Sequence, residues 1–282
     1  MTMPRTIRVG HSPDSDDAFM FYALAESKFD TGDLRYAHEL ADIETLNRRA
    51  LSGELEVSAV SIHAYAYLAD RYALLSSGSS MGDGYGPRVV ALGPPPADPS
   101  AALKGKTVAV PGLRTTAYLA LKLYQPDIVP LVVPFDRVGD AVKAGEAEAG
   151  LLIHEGQLTY ADDGFELWQD LGAWWLEDTG LPLPLGGNVV RRDLGPEVTA
   201  QVARDLRASI EYGLAHRGAA LAHASRYNRG ISEEKTDRFV GMYVNEWTVD
   251  YGARGREAVQ MLLDRGHSAG VIPFPVHVEF VG

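Results

Sequence analysis

The sequence of 282 residues contains no cysteine. Disulfide bonds, thiolate nucleophiles and zinc sites with cysteine ligands are therefore excluded. Basic residues are also scarce, with 26 lysines and arginines against 38 aspartates and glutamates and a net charge of −12. Because the phosphate backbone of nucleic acids requires a basic surface, this balance argues against a nucleic-acid partner.

Long apolar runs are missing as well. No stretch reaches the roughly 18 consecutive apolar residues of a membrane-spanning helix, so no membrane partner is expected. Residues 1–9 lead directly into a strand and lack the apolar segment of a secretory signal, which predicts a cytoplasmic protein unless a signal has been removed. Hydrophobic residues make up 46% of the chain, enough for a core, and its length suits one large domain or two of roughly 100–150 residues.

The same strand–turn–helix unit occurs twice along the chain. The first copy has a strand over residues 7–10 and a helix over 18–24. The second has a strand over residues 106–110 and a helix that begins near Thr115. In both helices the spacing of the apolar residues fits a period of 3.6 residues.

The second half of each unit also repeats, as a helix, a Gly-Glu-x-Glu turn and a buried strand. The turn at 53–56 precedes a strand over 57–61, and the turn at 145–148 precedes a strand over 149–153. Alignment of the two turns places Ser61 opposite the last residue of the second strand. The sequence therefore predicts two similar α/β lobes.

Two further segments, 86–93 and 188–191, are predicted to be strands that cross between the lobes. The C-terminal part reads as helices that pack mainly on the first lobe. We therefore expect an α/β fold with a discontinuous large lobe, 1–90 plus 190–282, a smaller inserted lobe, 91–189, and a cleft between them. This is the layout of type II periplasmic-binding-protein folds.

His154 is the first candidate for chemistry because it follows a buried strand of the second lobe. Open α/β folds bind ligands outside the carboxyl ends of their strands, and a histidine there suits proton transfer near neutral pH. The alternative is that His154 only caps the strand through a neighbouring carbonyl. Glu155 would face the opposite side of an extended strand, so we do not expect it to orient His154.

The segment Arg114-Thr115-Thr116 lies at a predicted helix N-terminus, where backbone N–H groups and the helix dipole favour an anion. Two hydroxyl groups add donors, and Arg114 could add positive charge. These features predict a carboxylate-binding site. The alternative is that Thr115 is only the N-cap of the helix.

The first lobe offers polar groups at the corresponding strand ends. The turn at 12–17 is acidic, and Asp14 is the carboxylate expected to face the cleft, although aspartates at a helix start also serve as ordinary caps. No cluster with metal-ligand spacing accompanies it, so no metal is predicted. Because no nucleophile elbow surrounds Ser61, we expect it to form hydrogen bonds, together with the backbone of Ala59 and Val60.

Taken together, several segments resemble the 1,4-dihydroxy-6-naphthoate synthases of the futalosine route to menaquinone. These segments are 12–24, 42–47, 114–118, 154–155, 170–175 and 179–186. The resemblance extends to about residue 195 and is weaker in the C-terminal helices. It implies a lyase that converts cyclic dehypoxanthinyl futalosine, a small aromatic carboxylate, to 1,4-dihydroxy-6-naphthoate without a redox cofactor.

The resemblance also implies roles for individual residues. It makes His154 the general base, Thr115 and Thr116 substrate-binding residues, and assigns substrate binding to 59–61 as well. Some relatives carry a lysine where this chain has Ala59, so a charged contact is in doubt there and Ser61 and the backbone remain. Arg114-Thr115-Thr116 would hold the carboxylate, and polar groups of the first lobe would hold the sugar-derived hydroxyls.

Two other functions remain open from the sequence. A chorismate dehydratase of the same pathway also handles a carboxylate, and a solute-binding protein without catalytic activity shares the fold. The Ser-Pro-Asp opening at 12–14 and His154 favour the synthase over the dehydratase. The missing signal segment and the strand-end histidine favour an enzyme over the solute-binding protein.

Overall fold

The computed structural model describes residues 4–227 and 230–282. Residues 1–3, which open the N-terminal stretch considered above, and residues 228–229 lie outside the described part. The strands are β1 Arg5–His11, β2 Leu34–Leu40, β3 Val57–Ser61, β4 Tyr72–Leu75, β5 Ser80–Gly82, β6 Arg88–Ala91, β7 Thr107–Val110, β8 Val129–Val132, β9 Ala149–Leu152, β10 Glu166–Asp170, β11 Leu183–Arg191 and β12 Phe280–Val281.

The described helices include five in the C-terminal part, which was predicted to be helical. In chain order the helices are α1 Ser15–Ala25, α2 Ile43–Ser52, α3 Ile62–Tyr65, α4 Pro99–Leu103, α5 Thr116–Tyr124, α6 Val138–Lys143, α7 Gly156–Thr159, α8 Leu171–Thr179, α9 Pro196–Ala215, α10 Arg217–Ala224, α11 Glu233–Tyr243, α12 Glu246–Val249 and α13 Gly252–Ser268. Short 3₁₀ turns lie at Phe135–Arg137, Arg192–Leu194 and Ser225–Tyr227. None of the described helices combines the length and hydrophobicity that a membrane span requires.

The chain forms two compact units. Unit 1 consists of Met1–Met81, Leu185–Arg256 and Val276–Gly282, and unit 2 of Gly82–Pro184 and Glu257–Pro275. The predicted boundaries were at 90/91 and 189/190. The structure instead starts unit 2 at Gly82, ends its long segment at Pro184, and groups Glu257–Pro275 with it.

Unit 1 contains a sheet with the strand order β12-β4-β11-β3-β1-β2, and β5 also pairs with β11. β1 is parallel to β2 and β3, and β11 is antiparallel to both β3 and β4. The carboxyl ends of β1, β2, β3 and β4 therefore lie along one side of the sheet, which we call edge 1.

The core of unit 1 surrounds α1. This helix is apolar on nearly all sides, and Phe19, Met20 and Phe21 are at most 1% exposed. A helix of that kind has to be covered all round, and α9, α10 and α11 pack against it. The burial stabilises the start of the helix, and with it the turn that follows β1.

Unit 2 contains a sheet with the order β10-β6-β9-β7-β8. β7 is parallel to β8 and β9, whereas β6 is antiparallel to β9 and β10. The carboxyl ends of β7, β8, β9 and β10 and the start of β6 therefore lie along one side, which we call edge 2. The two segments predicted as crossover strands, 86–93 and 188–191, are β6 and the end of β11, each an antiparallel member of its sheet.

Backbone segments approach very closely where α8 begins in unit 2. A Cβ atom placed on Gly172 would lie 1.9 Å from the Tyr85 carbonyl oxygen and 2.6 Å from the Gly86 nitrogen. Both groups belong to the backbone, so neither can move aside as a side chain could. Only glycine at position 172 permits this packing.

We therefore expect Gly172→Ala to lower the free energy of unfolding by about 3 kcal/mol or more, as overpacking against an immobile backbone does. Gly93→Ala is the matched control in the same unit, because a Cβ there would meet no atom within 4 Å. Urea unfolding of both variants measures the difference. Equal stabilities of the two variants would show that the close approach is absent in solution.

Candidate functional site

Edge 2 brings the candidate residues of unit 2 into one row. Following the strand order, the row contains Asp170 at the end of β10, Arg88 at the start of β6, His154 just after β9, Thr115 after β7 and Phe135 after β8. Because neighbouring strands lie about 4.8 Å apart, adjacent members of the row can contact a common ligand. The rings of Phe135 and His154 meet edge to face, with centroids 5.0 Å apart.

His154 has an unusual backbone conformation. Its φ is +53°, in the left-handed region. This conformation costs about 1–2 kcal/mol for residues other than glycine, asparagine and aspartate. Such conformations persist where the surrounding structure imposes them, and they occur often at functional sites. The bend turns the chain from β9 into α7 immediately after the strand.

The structure around this bend differs from the sequence prediction in two details. β9 ends at Leu152 and not at Ile153, so His154 and Glu155 lie in a turn rather than on an extended strand. Glu155 has helical backbone angles, is 5% exposed and precedes α7 as its N-cap residue. The prediction that the two side chains face opposite sides of an extended strand is therefore wrong, because neither residue lies in the strand.

Thr115 acts as a helix cap, which was the alternative reading. Its hydroxyl donates to the Gly112 carbonyl over 2.8 Å and accepts from the Tyr118 N–H over 3.2 Å. Thr116 is the first residue of α5 and is 2% exposed, whereas Arg114 is half-buried in the preceding turn. The Thr115 hydroxyl is thus already used, and the donors that suit an anion are the first-turn N–H groups and the Thr116 hydroxyl.

On edge 1, Ser61 is held by a residue that the sequence analysis did not identify. The Asn47 side chain accepts from the Ser61 backbone N–H over 2.9 Å and donates to the Ser61 hydroxyl oxygen over 3.1 Å. Asn47 is fully buried and Ser61 is 3% exposed. Because the Ser61 oxygen accepts from Asn47, its own hydrogen can point to a further acceptor. One feature of the sequence could have revealed this role: Asn47 is a polar residue on the face of α2 that also carries Leu46 and Ala50.

Ala59 and Val60 lie in the same strand as Ser61. β3 pairs with β11, where Gly187 is opposite Val60 and Asn188 is opposite Ala59. Ala59 is 7% exposed and Val60 is fully buried. Their side chains are therefore packed within unit 1, and only their backbone groups suit a polar contact.

The acidic turn after β1 forms hydrogen bonds within itself. The Ser12 N–H donates to the Asp17 carboxylate over 2.7 Å, and the Ser12 hydroxyl donates to Asp14. Asp14 is 1% exposed and is the N-cap residue of α1, but its side chain makes no capping hydrogen bond. These bonds fix the conformation of the turn, and the structure places Asp14 inside it rather than on the surface.

A pair of histidines, also missed from the sequence, supports this turn. The His11 and His38 rings are joined by a 3.1 Å hydrogen bond between Nε2 and Nδ1, and His11 Nδ1 lies 3.1 Å from the Ser12 carbonyl. Since a carbonyl only accepts, His11 carries its hydrogen on Nδ1 and receives the bond from His38. Burial lowers the pKa of His11 to about 3 and that of His38 to about 4. Both rings are therefore neutral at pH 7.

Comparison with known proteins extends over nearly the whole chain. The family model described as menaquinone biosynthesis matches residues 7–268. The chain is 43% identical over 265 residues to the 1,4-dihydroxy-6-naphthoate synthase of Thermus thermophilus, covering 94% of this chain and 95% of that protein.

Two solved structures are similar as well. A protein of Archaeoglobus fulgidus is 48% identical, with a TM-score of 0.89 and coverage of 94% of this chain and 98% of that one. The alkanesulfonate-binding protein of Xanthomonas axonopodis pv. citri is 17% identical, with a TM-score of 0.70 and coverage of 99% and 98%. The second likeness concerns the fold alone, and it confirms the predicted α/β fold of the periplasmic-binding-protein type.

The two hydrogen bonds between Asn47 and Ser61 lead to a prediction. Asn47→Leu keeps the volume of the side chain but leaves the buried Ser61 N–H without an acceptor, which should lower the free energy of unfolding by about 1–3 kcal/mol. Leu51→Ala is the control on the same helix, because Leu51 is 39% exposed, and it should change stability by about 0.5 kcal/mol or less. Thermal and urea unfolding measure both variants. A stable Asn47→Leu protein would contradict the geometry described.

Proposed function

The chain belongs to the menaquinone biosynthesis family, and we propose that it is a lyase that converts cyclic dehypoxanthinyl futalosine to 1,4-dihydroxy-6-naphthoate. The observation that carries the proposal is the 43% identity to a 1,4-dihydroxy-6-naphthoate synthase over 94% of the chain. The row of groups along edge 2 supports it, because that row contains a strand-end histidine beside a helix N-terminus.

We propose His154 as the general base. An imidazole suits proton removal near neutral pH, and the left-handed turn presents this residue just beyond the end of β9. Removal of a substrate proton would start the cleavage of a carbon–carbon bond. Aromatisation of the ring system would then drive release of a small fragment derived from the ribose.

The substrate carboxylate is proposed to lie at the N-terminus of α5. The Thr116 hydroxyl and the first-turn N–H groups would donate to it. Thr115 would support this site by capping the helix, and Arg114 would add positive charge from the half-buried turn.

The sugar-derived part of the substrate is proposed to contact edge 1. Ser61 would donate its hydroxyl hydrogen, and the backbone of Ala59 and Val60 would offer further polar groups. Asp14 would support these groups from inside the turn, where its carboxylate accepts a hydrogen bond from the Ser12 hydroxyl. With Asn47 holding Ser61 and the histidine pair holding the turn, these groups are positioned before the substrate arrives.

The proposed reaction is tested by incubating the purified protein separately with cyclic dehypoxanthinyl futalosine and with chorismate, and by identifying the products by mass spectrometry. We expect 1,4-dihydroxy-6-naphthoate from the first substrate and no turnover of the second. Turnover of chorismate alone would replace the proposal by a dehydratase. Tight binding of the first substrate without turnover would support a solute-binding protein.

The role of His154 is tested with His154→Gly and His154→Asn. Both replacements tolerate a left-handed backbone, so both proteins should be at least as stable as the wild type. Loss of a general base should reduce kcat by about a hundredfold or more while KM changes little. Steady-state kinetics together with thermal unfolding separate the two effects. Wild-type kcat in either variant would remove His154 as the base.

The two threonines should respond differently to replacement by valine. Thr115→Val removes the cap of α5 and should lower the free energy of unfolding by about 1 kcal/mol. Thr116→Val removes a donor to the carboxylate and should raise KM by about tenfold, as expected for a hydrogen bond to a charged group. Unchanged KM values in both variants would argue against the carboxylate site at α5.

A further inference from the structure

Besides Arg114, unit 2 has a second arginine on edge 2. We propose that Arg88, at the start of β6, forms the ion pair with the substrate carboxylate, an inference that rests on the proposed function. From the sequence, the segment that contains Arg88 was predicted only to be a strand. Four features of unit 2 support the role: the position of Arg88 on edge 2, its unused donors, the aromatic ring beneath it and its low exposure.

Strand register places Arg88 beside the proposed base. Arg88 pairs with Leu152, the last residue of β9, and His154 follows two residues later. On its other side, Arg88 pairs with Asp170, the last residue of β10. Because β6 runs antiparallel to both neighbours, the start of this strand lies on the edge where the other strands end.

The donors of Arg88 are poorly used within the protein. Nε lies 3.5 Å from an Asp170 carboxylate oxygen, and within the described residues this buried nitrogen has no hydrogen-bond partner. Arg8 provides a contrast, since its Nε and Nη2 both donate to Glu56 over 2.9 Å. A guanidinium offers five N–H donors in a planar fork, and a buried donor without an acceptor is unfavourable. An incoming carboxylate would supply acceptors in bidentate geometry.

Asp170 does not neutralise Arg88 completely, because its carboxylate has a second task. Its Oδ1 accepts from the N–H groups of Gly172 over 2.9 Å and Ala173 over 3.1 Å at the start of α8. One negative charge is therefore shared between a helix N-terminus and a guanidinium. Burial raises the pKa of Asp170, although Arg88 and the backbone N–H groups act in the opposite direction. The single negative charge of Asp170 does not cancel both the guanidinium and the positive end of α8, so positive potential remains for a ligand.

Packing holds the guanidinium in place without using its hydrogen bonds. The Cζ atom of Arg88 lies 5.0 Å from the centre of the Tyr160 ring, a cation–π contact that leaves the edge of the fork available. Tyr160 directly follows α7, the short helix that begins after His154 and Glu155. The same segment thus positions the proposed base and supports the cation.

The Arg88 side chain is shielded from water. It is only 17% exposed, so water screens its charge less than it would at an open surface position. Low exposure therefore strengthens direct pairing of Arg88 with a carboxylate. In this proposal Arg114 adds charge at longer range.

The proposal is tested by the binding of the reaction product, which requires no turnover. Calorimetry with 1,4-dihydroxy-6-naphthoate should show that Arg88→Met weakens binding by about tenfold or more, as loss of a charge-assisted bidentate contact does. Arg114→Met is the matched control, and it should weaken binding by about threefold or less. Under anaerobic conditions, 1,4-dihydroxynaphthalene, which lacks the carboxylate, should bind equally well to wild type and Arg88→Met.

A second variant separates a binding role from a purely structural ion pair. Asp170→Asn keeps an oxygen that caps α8 but removes the competing negative charge, so the naphthoate should bind about threefold more tightly. If Asp170→Asn and Arg88→Met weaken binding alike, the pair is structural and the proposal is wrong. The double variant Arg88→Met/Asp170→Asn removes both buried charges together and should still bind weakly even if Arg88→Met alone is unstable.

The binding test of Arg88 can be interpreted separately from the assay of the proposed reaction. A wild-type protein that binds the naphthoate through Arg88 but converts no futalosine substrate would contradict the proposed function and leave the carboxylate site established. A wild-type protein that converts the substrate while Arg88→Met binds the product normally would contradict only the role of Arg88.

Discussion

The parallel pairing of β7 with β8 and β9 is the constraint on which the candidate site depends. Parallel strands end on the same side of a sheet, and the helix that follows each of them starts there. This arrangement places the turn after β7, the start of α5 and the bend after β9 on edge 2 without any direct bond between them. The antiparallel strand β6 adds a residue from its beginning, so an arginine stands among groups that come from strand ends.

The bend after β9 requires a left-handed backbone conformation at His154. Ser27 is the other described non-glycine residue with a positive φ, at 49°, and it lies in an exposed turn after α1. His154 adopts the conformation with a much larger side chain, directly after a buried strand. An asparagine or glycine would adopt the same turn at less cost. The conformation therefore accounts for the direction of the chain but not for the choice of histidine, which points to the chemistry of the side chain.

Periodicity and turn residues were enough to predict most of the fold. The strands β1, β3, β7 and β9 and the helices α1 and α5 agree with the predictions to within a few residues, because their apolar patterns are dictated by burial. The antiparallel position of β6 and the grouping of Glu257–Pro275 with unit 2 depend on contacts between distant segments, which no local pattern encodes.

The same limit applies to the individual site residues. Asparagine and arginine usually face solvent. The position of Asn47 is explained only by its burial and its hydrogen bonds to Ser61, and that of Arg88 only by the register of β6 with its neighbours. Thr115 could be read as a cap or as a ligand residue from the sequence, and the two hydrogen bonds of its hydroxyl show that it caps α5. His154 was identifiable as a candidate because a histidine at a strand end is unusual in both position and chemistry.

The two helix N-termini on edge 2 explain why an anion would prefer one of them. α8 is capped by Asp170, whose negative charge already offsets the positive end of that helix. α5 is capped by the neutral hydroxyl of Thr115, so the positive end of its dipole is satisfied by hydrogen bonds but not by charge. An incoming carboxylate is repelled by Asp170 at the first and meets no like charge at the cap of the second. Asp170 thereby favours α5 as the anion site, while its carboxylate lies 3.5 Å from the Nε atom of Arg88.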